Sequence, residues 1–211
     1  MTDEKRPYRK KRRAELEAGM ARRITASAVE LHGTLGPSRT SISAVAKHAG
    51  VRRSTVYRYF PDETALFRAC TTDWMSTHPL PDLSRWAAID GPDERLTAAL
   101  AELYTHYHHA EQMMESILRD ETTMPIVKQM LSGYREYLTA ARDTLLTGRR
   151  LRGRTRTGVV AAIGHALAFA TWRSLTREQG LDDAGAAGLM CRLVAAMTVD
   201  LDTRRSDGAR A

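Results

Sequence analysis

Apolar residues recur at helical spacing in nearly every block of this 211-residue chain, and no segment shows a convincing period-two alternation. A half-buried strand alternates apolar and polar residues, whereas a helix packed on one face repeats them at i, i+3, i+4 and i+7. The chain is therefore expected to be all-α. From Ala14 to about Leu35, Leu16, Met20, Ile24, Ala28 and Leu31 or Leu35 share one stripe, closed by Gly36 and Pro37. Ser41 can cap a short second helix, Ile42 to Ala49, with Ile42, Val45 and Ala46 inward. Gly50 supplies the turn into a third helix over GVRRSTVYRYF.

Pro61 and Asp62 stop that helix and open a fourth, ending near Met75 or His78. The stretch 78–92, with three prolines, reads as a loop. Further helices are expected over 93–110, 111–122, 125–146, 159–178 and 182–201, about nine in all, with 148–158 a basic linker. The organisation expected is a disordered basic arm at 1–13, a three-helix unit at 14–61, a larger helical part at 62–202 and a disordered tail at 203–211. Cys70 and Cys191 are isolated thiols, neither a disulfide framework nor a metal ligand set. The apolar stretch 158–172 is too short to span a bilayer, and the N-terminal segment lacks an apolar run to follow its charges. A cytoplasmic location without membrane contact is expected.

Charge is unevenly shared. Residues 1–60 hold 14 Lys/Arg against 5 Asp/Glu, and the remainder holds 18 against 20. A sign asymmetry of this kind points to a polyanionic partner for the N-terminal part, nucleic acid first and an anionic membrane surface second. Between Lys47 and Pro61 there is no acidic residue at all. Two short helices joined by a glycine turn have the layout of a helix-turn-helix, in which the first helix braces and the second enters the major groove. Val51 and Val56 would anchor the second helix from beneath, leaving Arg52, Arg53, Thr55, Tyr57 and Arg58 outward. For Arg53 and Arg58, guanine readout and phosphate contact both remain open. The run Arg6, Arg9, Lys10, Lys11, Arg12 and Arg13 can neutralise phosphates or reach an adjacent minor groove.

Residues 20–70 resemble the TetR family of one-component transcriptional regulators. RITASAVELHGTLG stands where the family has a preceding helix, and TSISAVAKHAGVRRSTVYRYFPDETAL follows its T-S/T-x-x-x-I/V-A-x-x-A-G-V-S-x-x-T-L-Y-x-Y/H-F-x-S/D-K-x-x-L run. The resemblance implies that Thr55, Tyr57 and Tyr59 contact DNA, with Ser41 at the start of the bracing helix. Three positions depart from the pattern. Arg52 replaces a serine that caps the recognition helix, Ala44 replaces an acidic residue that would complete a capping box with Ser41, and Glu63 replaces a phosphate-binding lysine.

The resemblance further implies a C-terminal ligand-binding and dimerisation domain whose last two helices pair with their mates. The residues are compatible with this, since small residues such as Gly164 and Ala196 allow close helix approach, and Val160, Ile163, Leu167, Leu189, Leu193 and Met197 add apolar surface. Candidate ligand-binding residues are Trp74, Trp86, Tyr104, Tyr107, Met113, Met114, Ile117, Met130, Tyr134, His165, Phe169 and Trp172, which would line an apolar chamber with a few polar tips. His106, His108 and His109 lack the spacing of a metal site, and no cofactor motif or phosphate loop occurs. The expectation is a homodimeric regulator, repressive by family habit, that leaves a near-palindromic double-stranded operator when a small apolar effector binds. The alternatives are an effector-independent DNA binder and a helical enzyme, the latter without G-x-S-x-G or any other nucleophile signature.

Overall fold

The computed structural model describes residues 5–207, and every regular element among them is helical. The helices are α1 (Lys5–Thr34), α2 (Ile42–His48), α3 (Arg53–Tyr59), α4 (Glu63–Thr77), α5 (Leu83–Ala87), α6 (Pro92–Asp120), α7 (Pro125–Leu146), α8 (Gly153–Ala166), α9 (Phe169–Arg173) and α10 (Asp183–Asp207). A 3₁₀ turn at Pro37–Arg39 precedes α2, and a π turn at Ser174–Glu178 follows α9. The chain divides into two compact units. One comprises the described residues up to Pro79 with Gln112–Gln129; the other comprises Leu80–Glu111 and the residues from Met130 onward.

The first unit is built on α1 to α4. Ile24 and Ala28 of α1, Ile42, Val45 and Ala46 of α2, Val56 of α3, and Leu66 and Cys70 of α4 form one buried cluster. Full burial of side chains this size stabilises by about 1.5–3 kcal/mol each for the larger ones. The unit reaches past residue 61 because α4 closes this core. Burial also pushes the Cys70 thiol up to about 12, so it is inert near neutral pH. The expected stripe on α1 is shorter than its periodicity suggests: Leu16 is 67% exposed and Leu35 43%.

The segment 112–120 finishes the end of α1. Ser116 Oγ donates to the Gly33 carbonyl at 3.0 Å, and Arg119 donates to the Leu35 carbonyl at 3.1 Å. The Asp120 carboxylate accepts the Ser38 N–H at 2.9 Å. Burial opposes its charge, yet that N–H and Arg119 hold the Asp120 carboxyl below the usual range. Gly36 has φ 95°, and a Cβ there would lie 2.7 Å from the Asp120 carboxylate.

The second unit joins the first part of α6 and the rest of α7 to α5, α8, α9 and α10. Buried Arg95 donates to the Ile89 carbonyl and, at 3.2 and 2.7 Å, to the Thr144 and Thr147 carbonyls that end α7. Trp86 is buried and its indole N–H donates to Glu102 at 3.0 Å.

Several expected boundaries are corrected. The two helices placed at 93–110 and 111–122 are one, α6, because nothing between Ala110 and Glu111 breaks a helix. The loop at 78–92 contains α5, whose N–H of Ser84 is capped by Asp82 at 2.9 Å. The single helix at 159–178 is instead α8, a break at Leu167–Ala168 and α9, and α8 starts inside the expected linker at Gly153. Tyr104 and Tyr107 of α6 stabilise the break by donating to the Ala166 and Leu167 carbonyls at 2.9 and 2.6 Å. The expected disordered ends are helical where described, since α1 starts at Lys5 and α10 continues to Asp207; residues 1–4 and 208–211 lie outside the described residues. Lys and Arg are good helix formers, and Arg13 pairs with Glu17 at 2.9 Å one turn on.

Candidate nucleic-acid interface

The bracing helix α2 starts at Ser41, whose hydroxyl accepts the Ala44 N–H at 3.1 Å. That is the hydroxyl half of a capping box, and with Ala44 in the acidic position the return half is missing. Small Ala46 lets the chain turn back closely, its carbonyl accepting the Val51 N–H at 2.9 Å. Gly50 takes φ 62° in the turn. A residue that the sequence reading passed over secures this turn: Arg23 of α1 donates from Nε to the Ala49 carbonyl at 2.7 Å and from Nη2 to the carbonyls of Ala49 and of Gly50, the latter at 3.2 Å. An arginine on a helix, here one of the adjacent pair Arg22 and Arg23, gives no local sign of a partner 26 residues away.

The recognition helix α3 is held from below by Val56, which is fully buried, and by Phe60 beyond its end. Arg52 occupies its N-cap with extended backbone and no side-chain cap bond, as expected for arginine in the serine position. Its carbonyl instead accepts the Thr55 N–H at 2.9 Å. Arg52, Arg53, Tyr57 and Arg58 are exposed, Tyr57 by 42%, while Thr55 and Tyr59 are half-buried. Arg58 lies over the Tyr59 ring, 5.0 Å from its centre, and donates to its hydroxyl at 3.3 Å. This pairing holds the guanidinium at the end of α3.

Lys10, Lys11, Arg12 and Arg13 are exposed on the first turns of α1, on a helix and not on a loose arm. The side chains of Arg6 and Arg9 lie outside those described. Glu63 sits exposed in the first turn of α4, where the helix dipole favours a carboxylate. Asp62 caps that helix, accepting the Ala65 N–H at 2.7 Å.

Residues 24–70 match the family model described as bacterial regulatory proteins, tetR family. Over this segment the chain is similar to TetR-family regulators. An HTH-type transcriptional regulator of Mycobacterium tuberculosis is 24% identical over 136 residues, covering 64% of this chain and 69% of that protein. Among solved structures, a TetR-like transcriptional regulator from Rhodococcus sp. RHA1 superposes with a TM-score of 0.61 at 17% identity, covering 83% of this chain and 93% of the other. A tetR-family regulator from Streptomyces coelicolor gives the same TM-score and identity, covering 91% and 86%. These similarities are to helix-turn-helix transcriptional regulators. No helix among the described residues is long and apolar enough to cross a membrane.

The candidate ligand residues do not gather in one place. Trp74, Met113, Met114 and Ile117 belong to the first unit, where Trp74 stacks on His78 at 3.5 Å and Met113 packs near Gly33. Trp86, Tyr104, Tyr107, Met130, Tyr134, His165, Phe169 and Trp172 belong to the second. There the Tyr107 ring lies 5.4 Å from Phe169 and 5.9 Å from Trp172. Its one proton goes to the Leu167 carbonyl, so Tyr134 donates to it across 2.7 Å. Burial raises both hydroxyls, Tyr107 strongly and Tyr134 to about 12, so both are neutral donors. His165 is exposed, 3.2 Å from the Thr171 hydroxyl. His108 lies 3.1 Å from the Asp183 carboxylate, which also accepts the Trp172 indole N–H at 2.9 Å.

Of the residues expected at a dimer interface, Leu193 and Met197 are 50% and 39% exposed on α10, with Ala196 beside them. Val160, Gly164 and Leu189 are half-buried. Ile163 and Leu167 are corrected to the subunit core: with 0% and 1% exposure they have no surface left for a second chain.

Proposed function

We propose that this protein is a homodimeric repressor whose two α3 helices enter successive major grooves of a near-palindromic operator. The observation that carries this reading is the outward face of α3: three exposed arginines and Tyr57 above a fully buried Val56, with no carboxylate between Lys47 and Pro61. Tyr57 and Thr55 read base edges, while the basic turns of α1 add phosphate contacts and a steep salt dependence. Arg52, Arg53 and Arg58 supply guanine or phosphate contacts. Ser41 sits at the N-terminus of α2, where a phosphate meets the helix dipole.

Dimerisation through α8 and α10 is supported by the exposed apolar side chains of Leu193 and Met197 on α10, which a second copy would cover. A small, largely apolar effector in the second unit is supported by the cluster of Tyr107, Tyr134, Phe169 and Trp172, in which the tyrosine hydroxyls are the polar tips. Repression is lifted only to the extent that the effector favours one spacing of the recognition helices over the other. The protein works in the cytoplasm, where its operator is.

Selection of bound fragments from random duplexes with the full-length protein tests the reading. Recovery of a two-fold site with half-sites about one helical turn apart is expected. Recovery of no common sequence in dilute buffer would overturn it.

A further inference from the structure

The first unit holds a cleft of about 130 Å³ that the DNA-binding reading does not use. Its walls are apolar, from Val45 of α2, Leu66 and Phe67 of α4 and Ile126 at the start of α7, and Glu63 and Thr64 stand exposed at its rim. Two polar groups line it from within: half-buried Thr40, whose hydroxyl donates to the Gly36 carbonyl at 2.8 Å, and His32 of α1, only 8% exposed, its ring 5.2 Å from that of Phe67. Neither ring nitrogen of His32 has a hydrogen-bond partner among the described residues, and no fully sealed side-chain nitrogen or oxygen lacks one. The unpartnered nitrogens of His32 therefore open into the cleft. A polar group so nearly enclosed takes its partner from water or from a ligand that enters the cleft.

We propose that this cleft is a binding site for a compact, uncharged, mainly apolar ligand carrying one hydroxyl or N–H group that pairs with His32. Since a cavity of about 150 Å³ takes benzene, the enclosed part of the ligand is about one six-membered ring, with a short arm carrying the polar group. Burial lowers the His32 pKa to about 4 against the pull of Asp120, so the ring is neutral at physiological pH and offers one donor and one acceptor. The carboxylates of Asp120 and Glu63 disfavour an anion. The site is separate from the aromatic cluster of the second unit. Because Ile42 and Val45 of α2 form part of the wall, an occupant bears on the helix that braces α3.

The test is a titration of the full-length protein, labelled at its histidines, with 2-phenylethanol and with phenylacetate, followed by magnetic resonance. The His32→Leu variant assigns the His32 ring signals. The expected result is a saturable shift of those signals by 2-phenylethanol, at least tenfold weaker affinity for phenylacetate, and loss of the shift in Ile126→Trp, which fills the cleft. Thr64→Trp closes the exposed rim and gives the same reading should Ile126→Trp not fold. A His32 signal unmoved up to the solubility limit of 2-phenylethanol overturns the proposal. So does a shift that persists in the filled variant, and equal affinity for phenylacetate overturns the assignment of an uncharged ligand.

Discussion

The two units of the molecule use tyrosine in opposite ways. On α3, Tyr57 is turned to solvent and Tyr59 is half-covered by an arginine, over a floor of Val56. On α6, Tyr104 and Tyr107 are wholly buried, and their hydroxyls hold the carbonyls of Ala166 and Leu167 where α8 breaks from α9. Tyr57 is available to a partner, Tyr59 also packs on the first unit's core, and the pair on α6 is wholly part of the fold. Helix ends in each unit are closed both locally and from a distance. In the first unit α2 and α4 are capped by Ser41 and Asp62, each the residue just before its helix. In the second, the end of α7 is closed by Arg95 from 49 and 52 residues away. The recognition surface thus rests on the local cap at Ser41 together with the distant grip of Arg23, and the break between α8 and α9 rests on tyrosines distant in sequence.

The largest effect expected concerns the one polar ring buried in the first unit. The folded pKa of His32 is below its unfolded value of 6.5, so the unfolded chain binds the extra proton more readily. Stability from this group is intact above pH 6.5 and declines as pH falls towards about 4, by up to about 3 kcal/mol. Thermal melts of wild type and His32→Leu across that window measure it, and parallel curves would remove His32 from the account. The depressed carboxyl of Asp120 takes effect only below its usual range, so the two are separable.

Next is Tyr57→Ala, expected to cut selective operator affinity by about ten- to a hundredfold, at about 1–3 kcal/mol per specific contact, with an unchanged melting temperature. Unchanged affinity in a shift assay would break the contrast at its exposed end. Tyr107→Phe tests the buried end. It leaves the Leu167 carbonyl and the Tyr134 hydroxyl without a partner, and a loss of about 2 kcal/mol in denaturant melts is expected. The smallest effect is Ser41→Ala, about 1 kcal/mol from the lost cap, confined to the first unit if its melting can be followed there by hydrogen exchange.

How much was legible follows the same line. The starts of α2 and α4 and the glycine turn before α3 were readable because their signals are the neighbouring residues Ser41, Gly50, Pro61 and Asp62. The inward face of α2 was readable from spacing alone. The break at Leu167–Ala168 was not, because no glycine or proline marks it and the hydroxyls that stabilise it come from about 60 residues upstream. The same holds for Arg23, whose role at the turn depends on where α1 passes it. Periodicity also names a face without naming what covers it, which is why Ile163 and Leu167 read as interface and lie in the core, whereas Leu16 read as core and lies in solvent. The continuity of α6 was missed for another reason: polar residues around Glu111 suggested a boundary that only a backbone breaker would have made.

At 1.5 Å per residue, the 30 residues of α1 make a rod about 45 Å long. Lys10 to Arg13 therefore keep a fixed bearing relative to the turn that Arg23 grips. Inserting one alanine after Ala14 would swing those charges by about 100° around the axis while leaving their number untouched. Phase, as well as valence, then governs how strongly this end of the protein holds a duplex.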